Sequence, residues 1–171
     1  MCWLYYLWTI PIRAEQILAA TEGESTLNKQ TISSLPLRED ELRVPVQKLF
    51  PPEQYFCKTE VPFGLKRIDM LFTQRSNGQE IVAVELKLRK WKKAVWQAAS
   101  NRQIATYSYV ALPSRCAAVV DRQLIDALGL GLIVADTKEQ ARIALPAKRS
   151  RYVNKRIAKE ISNLVAGYQH V

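Results

Sequence analysis

Histidine is almost missing from this 171-residue chain; the one copy, His170, is the penultimate residue. A Ser–His–Asp triad, a Cys–His pair, an HExxH zinc site or a histidine-based nuclease would each need that tail residue in the site. Chemistry, if there is any, falls to carboxylates, Lys, Tyr or a bound metal. Cysteine is scarce as well. Cys2, Cys57 and Cys116 are far apart and form no CxxC pair, which argues against a zinc ribbon or a thioredoxin-type site. Scattered, odd-numbered thiols suit a reducing, cytoplasmic setting, and Cys57 and Cys116 are expected to pack as small hydrophobes. Long apolar runs are absent too. The longest, within MCWLYYLWTIPIRAEQ, covers about ten residues, too few to span a bilayer, and it lacks the basic flank of a signal peptide. No membrane association is expected.

Acidic residues are the minority, 16 against 25 Lys and Arg, for a formal charge of +9. Such an excess suits a polyanionic partner, and DNA is the expected one. The length fits one domain with a core of its own. The chain reads as an aromatic N-terminal arm and polar linker over 1–37, followed by an α/β domain over 38–171. The arm carries Trp3, Tyr5, Tyr6 and Trp8. Aromatics of that density are expected to pack on the domain or on a second subunit, giving a homodimer in the latter case.

Within the domain, Arg38 to Phe50 reads as a short helix that Pro45 limits or begins. QYFCKTEVPF, KRIDMLFT and EIVAVELKL read as three strands, with an Asn-Gly turn signal between the last two. WKKAVWQAASNRQIATY is helical, its apolar stripe formed by Trp91, Ala94, Val95, Ala98 and Ala99. YSYVALP is a strand. SRCAAVVDRQLIDALG reads as one helix, with Ser114 as N-cap and Gly129 just past its end. GLIVAD and ARIALP follow as strands. A last helix through YVNKRIAKEISNLVAGY places Val153, Ile157, Ile161, Leu164 and Val165 on one face. The fold class is therefore α/β: a mixed sheet, antiparallel first and parallel later, flanked by helices.

Two charges interrupt the third strand. Side chains alternate across a strand, so Val82, Val84, Leu86 and Leu88 form the core face. Ile81, Ala83, Glu85 and Lys87 share the other, with Glu85 and Lys87 directed out of the core. Asp69 joins them only in one register. A two-residue Asn77-Gly78 turn would set Asp69 opposite Leu86. A three-residue loop, Ser76 to Gly78, sets it opposite Glu85, with Gly78 where a left-handed residue is needed. Direct opposition puts the two Cβ atoms about 5 Å apart. Like charges so placed repel, and a divalent cation between them removes the cost. The plainer alternative is an ion-pair cluster in which Lys87 and Arg67 neutralise two surface carboxylates.

Asp69 on one hairpin strand, Glu85-Leu86-Lys87 at the end of the next, and Gln97 on the following helix resemble the PD-(D/E)xK nuclease superfamily, with its restriction-endonuclease-like fold. The likeness covers roughly Tyr55 to Pro113. It implies a Mg2+-dependent (or Mn2+-dependent) nuclease that hydrolyses phosphodiester bonds in DNA. Asp69 and Glu85 would ligate the metal, and Lys87 would orient or help deprotonate the attacking water and stabilise the added charge. Gln97 would support the site or touch the substrate backbone. Glu41, with Glu39 as runner-up, would complete the metal site. Ile68 stands where the family's Pro would be, a position that does not touch the ligand.

Cations crowd the strand-to-helix junction as Arg89, Lys90, Lys92 and Lys93. A second run, KRSRYVNKRIAK, brings Arg149 and Arg151 to the start of the last helix, where cations oppose the helix dipole. Both sets are expected to hold phosphates, with salt-sensitive and weakly sequence-selective binding. Trp96 lies off the helix stripe, where base stacking is the alternative to a structural role. Two other functions remain open: a protein of the same fold that binds nucleic acid without turnover, and a structural or partner-binding protein.

Overall fold

The computed structural model describes residues 38–76 and 80–167, all within the unit Leu35–Val171. The expected arm and linker over 1–37 lie outside the described residues, as do loop positions 77–79 and the tail bearing His170.

A 3-10 turn, Glu39–Leu42, runs into a short helix α1, Arg43–Gln47. Pro45 sits in the first turn of α1, where its missing N–H leaves no helical bond unmade. The strands are β1 (Tyr55–Phe63), β2 (Lys66–Gln74), β3 (Ile81–Leu86), β4 (Tyr107–Pro113), β5 (Gly131–Ala135) and β6 (Ala141–Leu145). They form one six-stranded sheet in chain order. β1–β2–β3 is an antiparallel meander, β4 and β5 add parallel, and β6 returns antiparallel. The parallel steps are possible because α2 (Trp91–Asn101) crosses from β3 to β4, as parallel neighbours require.

Two apolar layers flank the sheet. Leu42, Val46 and Phe50 cover Met70, Phe72, Val84, Tyr109 and Ile133. On the other face, Ala94, Val95 and Ala98 of α2 pack on Val110, Leu112 and Leu132. Farther along that face, Ile161 and Val165 of α5 (Lys155–Gly167) pack on Leu71, Ile81 and Ala83. Every residue of β3 is consequently buried. The expectation that Glu85 points out of the core is corrected here: its face of β3 is a second core face, because helices cover it.

Three helix boundaries also differ from expectation. α2 ends at Asn101 instead of continuing to Tyr107. The expected single helix over 114–129 is two, α3 (Ser114–Ala117) and α4 (Arg122–Ala127). Asp121 separates them by accepting a bond from the Leu124 N–H at 3.0 Å as N-cap of α4, while the N-cap of α3 is Pro113 and not Ser114, which is its first helical residue. Gly129 has φ +65° just past α4, as a helix-terminating residue does. α5 begins at Lys155, after Asn154 Oδ1 accepts from the N–H groups of Arg156 and Ile157. Leu164 is exposed rather than on its buried face.

β1 has one irregularity. Thr59 pairs with Met70 and Val61 with Ile68, and the intervening Glu60 has φ +53°. A left-handed non-glycine residue costs about 1–2 kcal/mol. The Glu60 carboxylate is tied to Arg43 by an ion pair. Among the described residues no helix is long and apolar enough to cross a membrane.

Candidate functional site

The hairpin register is the one that unites the acidic residues. Met70 pairs with Val84, Leu71 with Ala83, Phe72 with Val82 and Thr73 with Ile81; the next pair in that series is Asp69 with Glu85. The loop that would set this register lies outside the described residues. The Leu86 N–H donates to Asp69 Oδ2 at 2.8 Å, which fixes the Asp69 carboxyl beside the end of β3.

Glu85 is 1% exposed. Its Oε1 accepts from the Asn101 side-chain amide at 2.7 Å, and its Oε2 is buried with no partner. The Asp69 carboxyl is near enough for its charge to act on Glu85 directly. Burial, then the Asp69 charge, pushes the Glu85 carboxyl up to about 7, against the opposing pull of Asn101 and Lys87. Asp69 is raised as well, chiefly by burial; the Leu86 N–H and Lys87 oppose the rise.

Lys87 leaves β3 with its Nζ donating to Glu39 Oε2 at 2.8 Å and lying 3.8 Å from Asp69 Oδ2. Burial works against its charge, but the Glu39 hydrogen bond and the neighbouring carboxylates outweigh it and raise its pKa. In this state Lys87 is an ammonium donor and not a proton acceptor, which narrows the role expected for it.

The other expected residues divide. Glu39, the runner-up, holds Lys87. Glu41 instead accepts from the Arg38 N–H at 3.1 Å and from Lys138 Nζ at 3.0 Å. Among the described residues, no group of three or more His, Cys, Asp or Glu is placed to hold a metal. Gln97 lies on α2 with its Oε1 buried and unpartnered. The residue that grips Glu85 is Asn101, one helical turn beyond Gln97 on the same ridge. Spacing i, i+4 from Gln97 was the available signal for it.

Arg89, Lys90, Lys92 and Lys93 are exposed at the junction that follows the carboxylates. No ion pair engages them among the described residues. Trp91 is partly buried against the α2 core cluster, and Trp96 is 66% exposed. Arg149 and Arg151 are not in α5, as expected, but in the segment before it. They line a cavity with Thr73, Arg75 and Ile81, at the opposite end of β3 from Glu85. The basic surface is thus two separate patches. Cys57 is partly buried in β1, and burial pushes its thiol up to about 11, so it is no ready nucleophile.

Comparison with known proteins adds fold and nothing about activity. The chain is similar to SPO1766, a protein of unknown function from Silicibacter pomeroyi, with a TM-score of 0.60 and 18% identity over 77% of this chain and 85% of that one. No family model matches the chain, and no curated protein matches it.

Proposed function

We propose that the chain is a metal-dependent phosphodiesterase of restriction-endonuclease-like fold acting on DNA. The observation that carries this reading is the junction of Asp69, Glu85 and Lys87 at one end of β2 and β3, with Glu85 Oε2 buried and unpartnered. Two carboxyls raised chiefly by burial, Glu85 also by the Asp69 charge, fit a divalent cation, which would take the place of a proton. Mg2+ is content with one or two carboxylates plus waters and substrate oxygens, so Asp69 and Glu85 suffice as protein ligands. Mn2+ suits the same donors.

When bound, the metal supplies a more acidic water and charge neutralisation at the phosphate. Asp69 and Glu85 would hold it, and the Leu86 N–H and Asn101 amide keep each carboxyl oriented. Lys87 places an ammonium beside them, suited to stabilising negative charge that develops on phosphate oxygens. Arg89, Lys90, Lys92 and Lys93, which no ion pair engages among the described residues, offer cations for flanking phosphates. Gln97, on the same helix ridge as Asn101, supports the site with its free Oε1.

The test is cleavage of plasmid and linear DNA with Mg2+ by the full chain, by Asp69→Ala and by Lys87→Ala. Cleavage by the wild type alone is expected. Equal residual cleavage in all three would remove this site from the reaction. Salt-dependent DNA binding with no cleavage would favour a silent nuclease-fold binder. The Glu39 grip on the Lys87 ammonium is the feature consistent with that second reading.

A further inference from the structure

The cavity at the other end of β3 has chemistry of its own. It encloses about 820 Å³ between the β2–β3 ends, the segment before α5 and the first turns of α5. Arg75, Arg149, Arg151, Lys155 and Lys159 line it, and among the described residues no Asp or Glu does. None of these five cations forms an ion pair among the described residues.

Their placement runs against local stability. Lys155 and Lys159 are like charges at i, i+4, and both sit in the first turns of α5, where cations oppose the helix dipole. An anion in the cavity reverses both costs. The cations are also held in position. The Ser150 N–H donates to the Thr106 carbonyl at 2.8 Å, Ser150 Oγ to the Arg102 carbonyl at 2.6 Å, and the Asn154 N–H to the Gln103 carbonyl at 2.8 Å. These bonds pin the segment that carries Arg149 and Arg151. The Arg75 guanidinium stacks over the Phe56 ring at 3.9 Å.

Thr73 supplies the second, independent sign. It lines the cavity, is 1% exposed, and its Oγ1 has no hydrogen-bond partner. A buried hydroxyl without a partner is costly, and a ligand oxygen in the cavity is the acceptor it lacks. Cations plus a hydroxyl donor, with no carboxylate, select an anion whose oxygens accept several bonds at once. The volume exceeds the needs of a bare oxyanion and falls in the range of small-molecule sites.

We propose that this cavity binds a phosphate group carried by a nucleotide unit, either a free mononucleotide or the terminal residue of a polynucleotide. The site stands on its own residues and does not depend on the carboxylates at the far end of β3.

The experiment uses the full chain in EDTA, so that no cleavage intervenes. Binding of fluorescent 12-mer oligonucleotides bearing a 5′-phosphate, a 3′-phosphate or hydroxyls at both ends is followed by anisotropy, with AMP and inorganic phosphate as competitors. At least tenfold tighter binding of one phosphorylated end over the hydroxyl-ended strand is expected. The preference should fall severalfold or more in Thr73→Val and vanish in Arg149→Ala/Arg151→Ala. Asp69→Asn should leave it unchanged, which separates this site from the proposed metal site. Thr73→Val removes only an unpartnered hydroxyl, so its thermal midpoint should match or exceed that of the wild type. Displacement by micromolar AMP identifies a free mononucleotide as sufficient; displacement only by phosphorylated strands identifies the polynucleotide end. Equal affinity for all three strands with no competition by AMP would overturn the proposal, as would an unchanged preference in the double variant.

Discussion

Asn101 and Glu85 meet across the packing of α2 on the sheet, the amide donating to one carboxyl oxygen at 2.7 Å while the other oxygen has no partner. The carboxyl is thus half satisfied in a buried setting. A half-satisfied buried group is sensitive to protonation, to substitution and to cations, and each response can be measured.

Replacing Asn101 with Leu strips Glu85 of its remaining donor. The expected loss is about 1–3 kcal/mol in urea unfolding, the usual cost of leaving a buried acceptor unpaired. The loss should be greater at pH 8 than at pH 6, where a proton helps. The double variant Asn101→Leu/Glu85→Leu should recover much of it, since both polar partners are then gone. A double variant no more stable than Asn101→Leu would mean the hydrogen bond is not the source of the effect.

The pH dependence follows from the same carboxyl. Its pKa in the fold is raised from 4.5 to about 7, so the folded state holds the proton more tightly than the unfolded chain. The resulting stabilisation is full below the ordinary carboxylate value and is lost as pH rises through about 7. Asp69 is shifted in the same direction and acts with the same sign. The two titrate as a pair. Between pH 5 and pH 8 without metal, unfolding free energy should fall on the order of 3 kcal/mol. Glu85→Gln should flatten most of that slope. A wild type whose stability rises over this interval would contradict the arrangement. The shift of Lys87 lies above this window and does not contribute to it.

Divalent metal should restore what alkali removes. Millimolar Mg2+ is expected to raise the thermal midpoint at pH 8 more than at pH 6, because a proton competes for the same oxygens. EDTA should reverse the shift, and Asp69→Asn should abolish it. Calorimetry in two buffers of different ionisation enthalpy should register proton release on binding near pH 7. A shift equal in wild type and Asp69→Asn would place the metal elsewhere.

Gly131 tests the sheet rather than the site. A Cβ there would lie 2.2 Å from the Tyr109 ring and 2.9 Å from the Ala147 nitrogen. Gly131→Ala must push the ring aside and is expected to cost about 1–3 kcal/mol, as overpacking does. Denaturant midpoints read this directly, and an unchanged midpoint would show that the ring has room to move.

The meander was legible because strand alternation is a local rule, and its observed register is the one that sets Asp69 opposite Glu85. Met70 pairs with Val84 and Thr73 with Ile81, the register a three-residue loop would give. The burial of Glu85 was not legible, since it depends on α2 and α5 covering a face that Ile81 and Ala83 only hint at. Asn101 hid for a related reason: an Asn at a helix end is usually a polar rim residue until the strand beneath it is known. The choice between Glu39 and Glu41 turned on Lys138, 97 positions from Glu41, a distance no periodicity reports. The break at Asp121 was local, but the apolar pattern running through it masked its capping role.

The kink at Glu60 bears on how this domain keeps to itself. Among the described residues β1 is an edge of the sheet, nine residues long, and a flat edge of that length would accept a strand from a neighbouring molecule. A left-handed residue in its middle bends the row of free backbone groups, and Pro62 removes a donor two positions on. A visiting strand meets a left-handed residue at Glu60 and a missing N–H at Pro62, although the pairing of β1 with β2 keeps one register throughout. The left-handed Glu60 and the donor-less Pro62 therefore disfavour backbone pairing of a neighbouring strand along β1, so that edge-to-edge aggregation is held back by the strand itself.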